Sequence, residues 1–506
     1  MSDEQNDPCA ALQDRLAKTA DAARTEAVAK RRARGGRTAR ENLADLTGGA
    51  AVSEYGQLAV AAQRTRREGD ALFADTAADA VITAVGPVNG DLFNAKRSQT
   101  VLIINDYSVL AGTQGYFHHR KIDRMLEIAE QDHLPIVMYT EGGGGRPGDT
   151  DVLVSMAGLN VPTFHRWAAL AGRVPRIAVN HGYCFAGNAA LFGAADLRIA
   201  TEASCIGMAG PAMIEGGGLG SWKPQDIGPV SVHRENGVVD IVVADEAEAT
   251  EVAKRVLACV QGSLADWQVA DQSELAALMP TNRRYAFDVR KIIRHLFDTD
   301  SFIEARPDMG RAIVTGLARV EGRAVAVLAS DCRHLGGAID GESAVKATAL
   351  YQLAEHWRLP VVSLIDTPGF MVGPDSEAAG APRLMSDLFI AGATLTQPIV
   401  AIFLRRAYGL GAMAMTGGSF EVPRYAVSWP QGEFGAMGLE GAVHLGYRQE
   451  LAEAPDEDAR QALFDKLLAE MYDKGRAVEA ASYLEIDAVI QPGETRGVIS
   501  RALAGN

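Results

Sequence analysis

From Val101 onward the chain alternates short apolar runs with stretches whose apolar residues recur every three or four positions. The order is strand VLIIND, loop SVLAGTQG, helix RKIDRMLEIAEQ, strand LPIVMYT, glycine loop EGGGGRPGD, a helix, strand RIAVN, and the turn HGYCFAGNA. From Ala326 it starts again: strand AVLASD, loop CRHLGGAID, helix AVKATALYQLAE, strand LPVVSLID, loop TPGFMVGPD, a helix, strand IVAIFL, a bend at Arg405 and Arg406, and the turn Tyr408-Gly409-Leu410-Gly411-Ala412 opening an Ala/Met-rich helix. Asp106 and Asp331, Gly112 and Gly337, Lys121 and Lys346, Pro135 and Pro360, Tyr183 and Tyr408 share one offset, 225 (331 minus 106, 408 minus 183). A constant offset over five landmarks predicts an α/β layered domain built twice.

Before the repeat, residues 1–45 read as helical, with a break at GGRTAREN and a newly capped turn at Thr38. VITAVGPVNGDLF carries the Asn-Gly signal of a hairpin. Between residues 262 and 285 non-periodic sequence replaces the helix Glu246–Val260, which places the join there and divides the chain into 1–270 and 271–506.

Hydrophobic content of 47% with 22% charged residues fits a globular protein. No apolar run approaches the ~20 residues of a membrane helix. The polar start MSDEQNDPC is unlike a secretory signal, so a cytoplasmic protein with no membrane role is expected. A net charge of −15 argues against nucleic acid. The exception, KRRARGGR from Lys30 to Arg37, reads as a solvated helix end. Cysteines 9, 184, 205, 259 and 332 show no CxxC pair or zinc spacing and read as reduced thiols, Cys184 as a buried structural one, with no metal implied.

Gly409 to Ala414 fits a GxGxxA fingerprint, but four residues separate it from its strand and the first copy lacks the first glycine. Asp366-Thr-Pro-Gly369 stands without a GxxxxGKS/T loop, and neither GxSxG nor HExxH occurs. Gly142–Gly145 and Gly216–Gly218 read as mobile surface loops, His118 and His119 as exposed polar residues, and Lys121 and Lys346 as decoration of a helix face. What remains is two turns whose leading amides can face a developing negative charge, with no acid–base set beside them. That combination points to enolate chemistry in which a substrate or cofactor moves the proton.

In RARGGRTARENLADL, SVLAGTQG, HGYCFAGNAALFGAADL, IGMAGP, GGAID, IDTPGFMVGP, RRAYGLGAMAM, FGAMGLEGAVHLGYRQEL and IDAVIQPGETRGVISRAL, nearly the whole chain resembles the carboxyltransferase (β) subunits of biotin-dependent acyl-CoA carboxylases. The resemblance implies two tandem crotonase-like superhelical domains of ββα repeats, the N-terminal on the acyl-CoA side and the C-terminal on the biotin side. It also implies a hexamer assembled as a trimer of dimers. In the reaction it implies, biotin is itself the base and paired backbone amides hold the enolates. By position those pairs fall on Ala186 with Gly187 and on Leu410 with Gly411, or one residue on, at Gly187 with Asn188 and Gly411 with Ala412. Ala186 and Leu410 stand where the family has glycine, and a leucine side chain there is expected to crowd the approach. Met413 matches the position that shapes the acyl pocket, and Tyr408, Lys121 and Gly112 complete the implied substrate-binding set. Lacking a biotin-carrier MKM motif and an ATP-grasp-like portion, the chain implies a separate biotinylated α subunit. The resemblance extends to biotin-dependent decarboxylase and transcarboxylase subunits and to a silent structural β subunit.

Overall fold

The computed structural model describes residues 7–151 and 159–504. It divides into two compact units, Met1–Gly262 and Ser263–Asn506. In the first, β1 (Ser53–Glu54), β2 (Val81–Pro87) and β3 (Gln99–Asn105) pair antiparallel. β4 (Ile136–Tyr139), β5 (Arg176–Asn180), β7 (Leu197–Thr201) and β9 (Ile241–Val243) then extend the sheet in parallel from β3. β6 (Tyr183–Phe185) and β8 (Cys205–Gly207) form a separate parallel pair. Buried on both faces, the central strands read as continuous apolar runs, as parallel strands do.

The second unit repeats this plan. β10 (Ile303–Ala305), β11 (Ile313–Val320) and β12 (Arg323–Ser330) are antiparallel, and β13 (Val361–Thr367), β14 (Ile399–Tyr408), β15 (Tyr425–Ser428) and β17 (Ala488–Val489) follow in parallel. β16 (Glu433–Gly435) pairs with the far end of β14. The crossover helices Tyr116–Asp132 and Gly341–Trp357 occupy matching places. Each buries one face, through Ile122, Met125 and Leu126 in the first and Ala347, Leu350 and Tyr351 in the second. The expected N-terminal break and cap are present, with Thr38 and Glu41 forming a reciprocal capping box on the helix Ala39–Thr47.

Two expectations about the elements are corrected. The Asn-Gly pair does not close a tight hairpin: residues 88–98 separate β2 from β3, and Asn89 Nδ2 instead ties this loop to Lys254 O (2.9 Å) and Gln261 Oε1 (2.8 Å). The two-residue hairpin occurs in the other half at Glu321 and Gly322, both with positive φ (52° and 77°). β14 does not bend at Arg405 but runs on to Tyr408, because Arg406–Tyr408 pair with β16. The helix expected after the first glycine loop is present at Thr163–Ala169; the part of that expectation falling on 152–158 lies outside the described residues.

Lys121 and Lys346 do not decorate the surface: they are 7% and 1% exposed. Lys121 Nζ donates to Ala78 O (2.8 Å) and Val81 O (2.5 Å), Lys346 Nζ to Met309 O (3.0 Å) and Ile313 O (2.7 Å). Val81 and Ile313 open β2 and β11, so each lysine staples the turn that leads into its hairpin. Two carbonyls match the two N–H bonds of a neutral amine. Burial lowers Lys121 to about 8 and Lys346 to about 7. A group whose folded pKa lies below its unfolded value, about 10.4, releases a proton on folding, so stability rises with pH across that window and falls as pH drops toward 7. Urea unfolding of the wild type and Lys346→Met at pH 7 and pH 9 should show the wild type gaining about 1 kcal/mol per pH unit over the variant. Parallel pH dependence in the two proteins would refute the neutral-amine assignment.

Candidate functional site

In each unit the candidate turn follows the central parallel strands at their C-terminal ends, where open α/β sheets place ligands. Three layers build it: a buried carboxylate, a glycine loop, and the turn itself.

The carboxylates are Glu141 after β4 and Asp366 at the end of β13, again 225 apart (366 minus 141). Arg31 grips Glu141 with both amino groups (2.8 and 2.6 Å) and reaches Glu246 at 3.2 Å. Glu246 also accepts from Arg37 N (2.5 Å) and Asn42 Nδ2 (3.0 Å). The basic run is therefore not a solvated helix end at Arg31, which the buried acids draw inward. Asp366 has no exposed surface and accepts from Arg405 (2.7 Å) and Arg406 (2.8 and 3.0 Å). Burial alone pushes its carboxyl up, but the two guanidiniums outweigh that and hold it below the usual carboxylate range.

The loop Gly142–Gly145 is packed, not open. Gly142 N donates to Tyr183 O (2.8 Å), Gly143 N to Ala111 O (3.1 Å) and Gly144 N to Asn188 Oδ1 (3.1 Å). Gly112, at φ 60°, lies so close that a Cβ there would meet Glu141 O at 2.5 Å. His118 is likewise buried, with Nδ1 3.0 Å from Asp79 O, and His119 Nδ1 lies 3.0 Å from Thr163 Oγ1. Neither is the exposed residue expected, and burial depresses both pKa values, His119 to about 4. Cys184 is buried, 3.6 Å from Thr140 Oγ1, and burial raises its thiol to about 12.

Ala186 sits at φ 51°, ψ −119°, a conformation glycine favours, and opens the helix Gly187–Gly193. Its own N–H donates to Gly207 O at 2.9 Å. The first intrahelical bond is Ala190 N to Ala186 O (3.0 Å), so Gly187, Asn188 and Ala189 have no intrahelical acceptor. Asn188 is buried and its side chain braces the turn, donating to Thr140 O at 3.1 Å.

In the second unit the helix Gly409–Met415 starts three positions earlier relative to the 225 offset (412 minus 409), so its leading amides are those of Gly409, Leu410 and Gly411, with Ala412 next. Gly411 packs on the Asp366-Thr-Pro-Gly369 loop: a Cβ on it would lie 2.6 Å from Gly369 C and 2.9 Å from Phe370 N. The side chain of Leu410, next to it, is 60% exposed. Tyr408 is buried, its hydroxyl donating to Glu433 at 2.9 Å. Met413 lines an apolar cavity of about 840 Å³ with Phe420, Phe434, Met437, Leu439 and Leu445. Sequence reading missed this cavity, whose walls come from residues up to 76 positions beyond the turn (485 minus 409). Among the described residues, no group of three or more His, Cys, Asp or Glu could hold a metal, and no helix is long and apolar enough to cross a membrane.

The turns differ in a way stability reports. Ala186→Gly should raise the melting stability by about 1 kcal/mol, since it relieves a strained positive φ. Gly411→Ala should lower it by about 1–3 kcal/mol, because the new methyl meets backbone that cannot withdraw. Thermal or urea melts yielding the same sign for both substitutions would contradict this account.

A carboxyl transferase domain matches residues 30–505. The biotin-dependent acetyl-/propionyl-CoA carboxylase β6 subunit of Mycobacterium tuberculosis is 31% identical over 84% of this chain and 88% of its own. The propionyl-CoA carboxylase β chain of Saccharopolyspora erythraea is 29% identical over 94% and 89%. Among solved structures, a single-chain, multi-domain long-chain acyl-CoA carboxylase is 49% identical with a TM-score of 0.92; the match covers 98% of this chain and 49% of that one, so this chain spans about half its length. A transcarboxylase 12S, described as a hexamer with methylmalonyl-CoA bound, is 25% identical with a TM-score of 0.83 over 95% of this chain and 91% of its own.

Proposed function

We propose, on the premise that this chain belongs to the carboxyl transferase domain family, that it transfers CO2 from carboxybiotin to the α-carbon of an acyl-CoA. The observation that carries the reading is the duplicated turn, whose leading amides follow a braced glycine loop in both units. Carboxybiotin, brought by a partner protein, supplies the carboxyl group and the base. The chain's own part is to hold oxyanions and exclude water. With Ala186 N–H engaged by Gly207, the first pair is Gly187 with Asn188; the second is Leu410 with Gly411. The unit before residue 263 takes the CoA of the acyl-CoA and the unit after it takes biotin, and the acyl group of an acyl-CoA held by one copy of the chain reaches Met413 of another. Gly112 borders the first turn, Lys121 holds the backbone that leads into β2, the Tyr408 hydroxyl holds the Glu433 carboxylate, and Met413 meets the acyl group.

A long acyl chain fits best. The cavity beside Met413 lies within the ~300–1,000 Å³ of ligand pockets and is walled by Phe, Met and Leu. The relative at 49% identity is a long-chain enzyme. That relative carries its domains on one chain, and here the biotin carboxylase and carrier functions belong to a biotinylated partner. The subunits assemble as a hexamer, as described for the 12S protein. A silent structural role is disfavoured, since Ala186 adopts the glycine-type geometry.

The purified chain, given a biotinylated partner, ATP, labelled bicarbonate and acyl-CoAs of two to eighteen carbons, should fix label into the long members most efficiently. No label in any acyl-CoA would sink the carboxylase reading, and uptake confined to short chains would sink the long-chain one. Met413→Trp should shift preference toward shorter chains by roughly tenfold in kcat/KM, a difference of about 1.4 kcal/mol.

A further inference from the structure

One side chain at the first turn is packed, yet its buried donor has no hydrogen-bond partner among the described residues. Gln114 lies between β3 and the helix Tyr116–Asp132, and its backbone is clamped on both sides: its N–H donates to Gly144 O and its carbonyl accepts from Arg146 N, each at 2.8 Å. The residue is 4% exposed. Its carboxamide lies over Gly187, where a Cβ would come within 2.1 Å of Gln114 Oε1 and 3.0 Å of Phe164 Cζ. Gly187 must therefore be glycine because Gln114 occupies the space above it. Yet Gln114 Nε2 is buried and, among the described residues, has no hydrogen-bond partner.

A buried amide left unpaired costs about 1–3 kcal/mol relative to one that is paired. Leucine would fill the same volume without that penalty. The neighbouring groups give the amide no outlet: His119 Nδ1 is on Thr163, Asn188 is on Gly144 and Thr140, and Arg146 is on Asp79 and Thr113. The carboxamide lies beside Gly187, which with Asn188 presents amides lacking intrahelical acceptors. Such a cluster needs an acceptor from outside the protein, and one that carries negative charge in its reactive form.

We propose that Gln114 Nε2 is a further hydrogen-bond donor to the thioester oxygen of the acyl-CoA, a side-chain member of an otherwise backbone oxyanion site. This rests on the carboxyltransferase reading and adds a substrate-touching residue to it. The donor acts more strongly on the enolate oxygen than on the neutral carbonyl, so its loss falls mainly on kcat.

The test compares wild type, Gln114→Leu and Gln114→Glu in the complete assay with the partner present. Gln114→Leu keeps the packing over Gly187, so its melting temperature should equal or exceed that of wild type. Its kcat should fall at least tenfold with KM changed less than threefold. Gln114→Glu should fall further, its carboxylate opposing the enolate. A second readout is a ratio of two affinities on each protein: a non-reactive acyl-CoA analogue that retains the carbonyl against the S-alkyl-CoA thioether that lacks it. Wild type should favour the carbonyl ligand, and Gln114→Leu should lose at least fivefold of that preference; a ratio on one protein is insensitive to the fraction folded. Full kcat, or an unchanged preference, in Gln114→Leu would overturn the role of Gln114 alone. Wild type that binds neither CoA ligand would overturn the underlying reading as well.

Discussion

Asp366 has no exposed surface, ends a central parallel strand, and takes four hydrogen bonds from the side chains of Arg405 and Arg406 on the next strand. The end of β14 is held in place by these bonds. A carboxylate buried this deeply is tolerated only when paired and hydrogen-bonded. Its partners come from the stretch of β14 that leads into Tyr408 and Gly409, so the strand continues straight to the turn. The same constraint operates in the first unit at Glu141 but is met differently. Its partner Arg31 comes from the N-terminal segment, 110 positions away (141 minus 31), and Glu246 binds the same guanidinium. One unit supplies its counter-charge locally, the other through a distant helix.

That difference shows what duplication has kept and what it has released. Kept are the lysine staples, the strand-end acids and the close approach between glycine loop and turn. Asp106 and Asp331 likewise both stay paired to arginine, the first to Arg24 (2.8 Å), the second to Arg290 (2.6 Å). Released are the hairpin loop, two residues in one unit and 88–98 in the other, and the start of the helix after the turn. The retained parts fix backbone; those that drifted lie on the periphery or set which amides lead the helix.

Much of this was legible in the sequence, for reasons that differ by residue. The apolar runs at 101–105 and 399–404 and the constant 225 offset declared the parallel strands and the duplication, because burial on both faces leaves a continuous apolar signature. Thr38 declared its cap because capping is local. Arg31, Lys121 and Lys346 were misread because charged residues are usually exposed, and only the fold brings Glu141 or two backbone carbonyls to them. Gln114 carries no motif at all. Its meaning arises from an absent hydrogen bond, and absence has no sequence signal.

The contrast between Ala186 and Gly411 follows from the same geometry. At Ala186 the backbone has positive φ, and the strain of a methyl there is compensated by the 2.9 Å bond from its N–H to Gly207. At Gly411 φ is not positive, yet a methyl is excluded because Gly369 lies directly against it. The first turn therefore tolerates a side chain at a conformational cost and the second forbids one for lack of room. The two positions answer different constraints, so a substitution in one turn says little about the other. An alanine at 186 leaves the amides of Gly187 and Asn188 where the helix puts them, so this departure from glycine leaves those donors standing.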